Sequence, residues 1–250
     1  MEAPNSIKFQ SVVTASRAPL PPHSTVFRHI LDEAHHTQSL RDADQPPDPP
    51  KRGLRWLVLD GSKHQTGMVV GDDRTTPMAV KMTHVNGHND GALSVLSGIK
   101  TQPNIRHLII RHSHLHQHQV DTAARVLALN DGIAWLVLDH NDIDDNALNT
   151  LLRDVHPDNT IQHLVLSDNQ ITSEGLSTII RALPTMPHLQ TLWLDNNEIS
   201  DDHIESLMVA ISHHPSLKTL SIRGNHMSEF TTSAIKTAGN HMTPPCRCYV

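Results

Sequence analysis

From Ile133 to Ser216 the chain sets down the same order of apolar and polar residues three times, once every 28 residues. Each block opens with leucines at its fourth and sixth positions: Leu136 and Leu138, Leu164 and Leu166, Leu192 and Leu194. A spacing of two puts both side chains on one face of a short strand. An asparagine follows at position nine, as Asn141, Asn169 and Asn197. There its amide can bond the backbone as the chain leaves the strand. The spacing then changes to three and four. Leu148, Leu151, Leu152 and Val155, then Leu176, Ile179, Ile180 and Leu183, then Ile204, Leu207, Met208 and Ile211 mark the buried face of a helix. Pro187 and Pro215 stop the helices before them.

A strand–turn–helix unit cannot bury its apolar side alone, so neighbouring units must stack. The same phase reaches back to Ile105 and, in worn form, to Pro77, and forward to Leu217. A block of 23 residues opens at Leu54. Seven rungs are predicted, two irregular ones over residues 54–104 and five regular ones over residues 105–241. The fold class is α/β, a solenoid with a parallel sheet inside and helices outside.

The pattern LxxLxLxxNxI followed by a helix resembles the ribonuclease-inhibitor type of leucine-rich repeat, over about Leu54 to His241 and best between Ile105 and Asn225. The resemblance implies a right-handed horseshoe with the sheet on its concave face. It also implies a protein-binding role. Ser62, Val85 and Ser113 replace the asparagine, and the family's glycine stands only at Gly91 and Gly175. The last block carries Lys236 and Gly239 at core helix positions, which predicts a weak or capping final helix.

The flanks differ from the repeats. Residues 1–53 are predicted to be a flexible extension with one short amphipathic helix, from a cap at Ser24 through His36. That helix could cover the open end of the array. Prolines 46, 47, 49 and 50 stop any element after it. Residues 242–250 are predicted to be a disordered tail with two free thiols, Cys246 and Cys248. Simple prenylation wants cysteine fourth from the end, where Arg247 stands.

Aromatic residues are 3% of the chain, which a stack of leucine rungs tolerates. The formal charge of −6 argues against nucleic acid, whose binders carry a basic face. No window is apolar for long enough to span a membrane. Cysteine is confined to the tail, which favours a reducing compartment, the cytoplasm. Histidine is abundant, with 21 residues. Mild acid would therefore turn the surface strongly positive.

If positions 4 and 6 point inward, positions 3, 5, 7 and 8 face outward across the sheet. Position 3 holds Trp56, His107, Trp135 and His163, and position 5 holds Ile109, Val137, Val165 and Trp193. All three tryptophans of the chain fall in these two columns. Exposed tryptophan beside branched aliphatics marks a site for a protein partner. Asp139, His140 and Asp195 supply part of a charged rim, with Arg111, His112, Asp168 and Arg223.

Two other readings use the same surface. His112, His114, His116 and His118 alternate in RHSHLHQHQ, and with His107 and His140 they offer imidazoles to a transition metal or a pH response. No cysteine lies near them, so no metal or other cofactor is assigned. Activators of small GTPases occur in the family this chain resembles, and Arg111 and Arg223 are the exposed arginines such a role would use. A Ser167–His140–Asp139 or Ser167–His140–Asp195 triad can be drawn across neighbouring rungs. Nothing accompanies it that suggests an oxyanion hole, and no catalytic residue is assigned.

Overall fold

The computed structural model describes residues 55–60, 65–69, 78–85, 96, 105–242 and 245–250, the first two stretches as backbone. The N-terminal extension 1–53 and its expected helix lie outside the described residues. So do Ser62 and Gly91.

Among the described residues nine strands form one sheet: β1 (Arg55–Asp60), β2 (Gln65–Val69), β3 (Met78–Thr83), β4 (Ile105–Arg111), β5 (Trp135–Val137), β6 (His163–Val165), β7 (Thr191–Trp193), β8 (Thr219–Ser221) and β9 (Arg247–Tyr249). Their order is β2-β1-β3-β4-β5-β6-β7-β8-β9. A helix follows each of β4 to β8: α1 (Gln117–Leu129), α2 (Asp145–Leu152), α3 (Ser173–Ala182), α4 (Ile204–Ser212) and α5 (Glu229–His241). Pairing is parallel and in phase from rung to rung, so that Leu136 lies opposite Leu108 and Leu164, and Leu192 opposite Leu164 and Leu220.

The core lies between sheet and helices. Leu108, Leu136, Leu164, Leu192 and Leu220 are fully buried, as are their neighbours two residues on. Each such side chain contributes about 1.5–3 kcal/mol of apolar transfer. The helix faces read from the sequence pack against them, with Ile180 and Met208 only partly covered. The helix starts are capped by Asp144, Thr172 and Ser228, which accept from Ala147, Glu174 and Thr231 N–H. Gly175 is required by close packing. A Cβ there would lie 2.7 Å from Ile171 Cγ2 and run into the Asp145 carboxylate.

The asparagine column joins the rungs. Asn169 Oδ1 accepts from the Asn141 and Ile143 N–H groups at 3.0 Å each. Its Nδ2 donates to the carbonyls of Leu138, Leu166 and Ser167. Asn197 and Asn225 likewise accept an N–H of the preceding rung, from Ile171 and Ile199, and donate to carbonyls of both rungs. Where serine replaces asparagine, Ser113 Oγ accepts from Val85 N–H at 3.3 Å and donates to the Arg111 carbonyl. A hydroxyl thus does part of the amide's work.

Two expectations need correction. The sheet is not parallel throughout, because β1 pairs antiparallel with β2 at its N-terminal edge. The short block at Leu54 thus carries a second strand after its first. Residues 65–69 (QTGMV) have no helical spacing of apolar residues to support a helix. From residue 245 onward the tail is not disordered either. Arg247–Tyr249 forms β9 parallel to β8, with Leu220 opposite Cys248. Arg247 N–H donates to the Lys218 carbonyl at 2.8 Å, and Ile222 N–H donates to the Tyr249 carbonyl at 2.9 Å. Cys246 is buried, and Cys248 and Val250 pack against the core. Burial of that face outweighs the polar look of the segment.

Candidate functional site on the open face of the sheet

The face of the sheet away from the helices carries two columns of side chains. Along the first, His107, Trp135, His163, Thr191 and Thr219 are successive register partners. Along the second run Lys81, Ile109, Val137, Val165, Trp193, Ser221 and Tyr249. Trp56 stands in register with Ala79, and its side chain lies outside the described residues. The strands therefore bring the expected binding residues from His107 onward into one surface.

Their exposure differs from expectation. Trp135 is 9% exposed and Trp193 3%. Ile109, Val137 and Val165 form a closed cluster with Trp193, apart from the main core. His107 is buried and His163 half-buried. Adjacent strands sit only about 4.8 Å apart, so large rings in neighbouring positions lie over one another and over smaller residues beside them. The Trp135 and His163 rings stack with centroids 3.7 Å apart, and His107 lies 5.8 Å from Trp135. Tyr249 stacks with Trp193 at 6.2 Å. Among the described residues, the Trp193 Nε1 donor has no hydrogen-bond partner.

Burial holds the imidazoles of His107 and His163 neutral. Desolvation pulls both down to about 4, and His163 adds like-charge repulsion at His107. Unfolded, both would take up a proton near pH ~6.5. Between those values the unfolded chain binds the extra protons, so stability present above pH ~6.5 is lost as the pH falls towards about 4. At pH ~5 the loss is up to roughly 2 kcal/mol per histidine, and less for half-exposed His163, where solvent screens. Urea midpoints at neutral pH and at pH ~5 are expected to drop, and to drop less in a His107→Gln/His163→Asn variant. Equal drops in the two proteins would show that these rings are not the cause.

The rim is built from positions 7 and 8. Arg111 Nε meets Asp139 Oδ1 at 2.7 Å, and Arg223 Nη2 meets Asp195 Oδ2 at 3.4 Å. Asp195 Oδ1 also accepts from Ser221 Oγ and from Arg223 N–H. Arg223 lies over the Tyr249 ring at 5.4 Å. Position 8 has a property the sequence reading missed: His84, His112, His140, Asp168, Asn196 and Gly224 all have left-handed backbone, with φ from 50° to 65°. Histidine, aspartate, asparagine and glycine tolerate that region better than branched residues do. The signal was available as a column free of β-branched residues.

The histidine segment does not converge on one point. His112 stacks on His84 at 5.2 Å and lies tilted against His140 at 4.3 Å. His114 pairs with Asp142 on the next rung. His116 caps α1, receiving Gln119 Oε1 at its N–H, and His118 lies exposed within α1. Among the described residues, no three His, Cys, Asp or Glu side chains are grouped to hold a metal ion. The drawn triad does not assemble. His140 turns its nitrogens to Asp139 Oδ2 at 3.3 Å and Asp168 Oδ2 at 3.5 Å, while the buried Ser167 Oγ has no hydrogen-bond partner among the described residues.

No helix among the described residues is long and apolar enough to cross a membrane. Residues 159–207 match the family model for leucine rich repeats, in two copies. No curated protein matches the chain.

Proposed function

We propose that this leucine-rich repeat protein is a non-catalytic interaction module that takes a protein partner on the concave, open face of its sheet. Leucine-rich repeats generally serve as protein-interaction modules. The observation that carries the reading to this face is its row of half-buried side chains, His163, Thr191 and Thr219, standing beside partly exposed charged residues. The rungs are already joined by the core and the asparagine column. Partly exposed Arg111, Asp139, His140, Asp168, Asp195 and Arg223 match the polar rim of a protein interface, set over an apolar layer that is already buried. We further assign the repeats to the 28-residue ribonuclease-inhibitor type, supported by the 28-residue offset between bonded partners such as Asn141 and Asn169 and by the full helix on each regular rung. A reducing, cytoplasmic setting belongs to the same reading, supported by two free thiols. It involves no cofactor and no nucleic acid.

Because Trp135 and Trp193 are buried, the test uses their half-buried neighbours. Thr191→Arg and Thr219→Arg place bulk and charge on the open face, while Val209→Arg alters an exposed helix position. Each is checked for folding and used to capture partners from lysate. The expected result is a partner held by wild type and Val209→Arg, and recovered at least about tenfold less by the open-face variants. Loss with Val209→Arg alone would move the site to the helices.

A further inference from the structure

The edge strand β9 and the residue just before it carry two thiols on one side. Cys246 is 2% exposed, and its N–H is bonded to the Gly239 carbonyl at 3.1 Å. Cys248, two residues on and therefore on the same face, is half-buried, with its Sγ 3.6 Å from the Cys246 carbonyl oxygen. Gly239 of α5 leaves room for both. A Cβ there would come within 2.7 Å of the Cys246 oxygen and press on Cys248 Sγ. Neither cysteine is in a disulfide.

We propose that Cys246 and Cys248 form an oxidant-responsive dithiol: a hydroperoxide oxidises Cys248, Cys246 closes the disulfide, and β9 is pulled away from β8. The Cys246 side chain beside it lowers the Cys248 thiol below its ordinary range. The same pairing, with burial second, pushes Cys246 up. Cys248, half-buried, is the thiol that a peroxide reaches and that attacks, and Cys246, 2% exposed, is the one that resolves. In the first step the Cys248 thiolate attacks one peroxide oxygen and the O–O bond breaks. The leaving hydroxide takes a proton to become water, and Cys248 becomes a sulfenic acid. In the second, Cys246 sulfur attacks Cys248 sulfur, the S–S bond forms and the S–O bond breaks. The departing hydroxide takes the Cys246 proton as a second water. The two thiols lose two electrons and two protons, and the peroxide is reduced to two waters.

The geometry couples this chemistry to the strand. Two residues of extended chain hold their Cα atoms about 6.5 Å apart. A disulfide centres on about 5.5–6 Å and needs its Cβ atoms about 3.8 Å apart. The bond therefore bends the chain at Arg247. That residue's N–H donates to the Lys218 carbonyl and the Tyr249 carbonyl accepts from Ile222 N–H, one bond at each end of β8. Tyr249 also stacks with Trp193, so a shift of β9 reaches the open face.

The reduced full-length chain is treated with hydrogen peroxide and followed by intact mass, dimedone trapping, hydrogen exchange and tryptophan fluorescence. Wild type is expected to lose two hydrogens in mass within single molecules, to lose exchange protection at Leu220–Ile222 and to change its Trp193 emission. Cys246→Ser is expected to stop at a dimedone-trapped sulfenic acid on Cys248 with β8 protection intact. Cys246→Ala gives the same outcome if serine disturbs the packing. In Cys248→Ser, Cys246 is expected to react at least about tenfold more slowly than Cys248 does in wild type. Equal reactivity of the two thiols, a disulfide only between molecules, or an internal disulfide with β8 protection unchanged would each overturn the proposal.

Discussion

Replacing Asn169 by alanine is expected to destabilise the protein by about 3–5 kcal/mol, a large part of what holds a domain of ordinary stability folded. The side chain is buried and serves two rungs at once. Its oxygen satisfies the N–H groups of Asn141 and Ile143, and its nitrogen satisfies carbonyls of Leu138, Leu166 and Ser167. Alanine leaves two donors and up to three acceptors without that partner, away from water. Each buried unsatisfied group costs about 1–3 kcal/mol, with partial relief where a carbonyl has a second donor. Asn169→Asp separates the halves of this argument. It keeps the acceptor for the two N–H groups but turns an oxygen towards the carbonyls, and is expected to destabilise strongly as well. Urea unfolding of the three proteins at neutral pH checks both variants. A loss near about 1 kcal/mol for alanine would mean that water replaces the amide and that the rungs are not joined by it.

Trp193→Ala is expected to cost about 3–5 kcal/mol, as for a large aromatic removed from a core. At 3% exposure it behaves as an interior residue although it stands on the open face. Removing it opens a cavity beside Val165, its register partner, and deprives Tyr249 of its stacked ring. A surface hot spot would behave otherwise, since truncation of an exposed side chain shifts stability by less than about 0.5 kcal/mol. Trp193→Phe keeps most of the apolar contact and removes the unpartnered Nε1 donor. It is expected to cost much less than alanine. Stability of the alanine variant equal to wild type would return the ring to solvent and restore its reading as a pure contact residue.

The strands and helices of the regular rungs were legible because their periods, two and then three to four, repeat in phase. Each of Leu136, Leu148, Leu164, Leu176 and Leu192 is buried as its position required. Coverage was not legible. A column assignment tells which side of the sheet Trp135 occupies, but not that His163 lies 3.7 Å away across its face. The β-strand in the tail had a signal that went unread. Cys248 lies opposite Leu220 and Val250 stands the same distance after Ile222, so β9 continues the phase. Pro244, Pro245 and Arg247 obscured it, because proline and charge argue against a strand when read one residue at a time. The antiparallel β2 had no phase to follow, since a hairpin return replaces the repeat there. In position 8, His112 and His140 looked like chemistry, while the left-handed backbone they share with His84 is their first constraint.

Partner contact on the open face is tested most directly by site-specific photocrosslinking in cells. A benzophenone amino acid is placed at Thr219, half-buried on that face, and in a second protein at Val209, 55% exposed on the helix side. The expected result is a discrete adduct with a protein from Thr219 and none from Val209. An adduct from Val209 with none from Thr219 would contradict the account and place the binding surface on the helices.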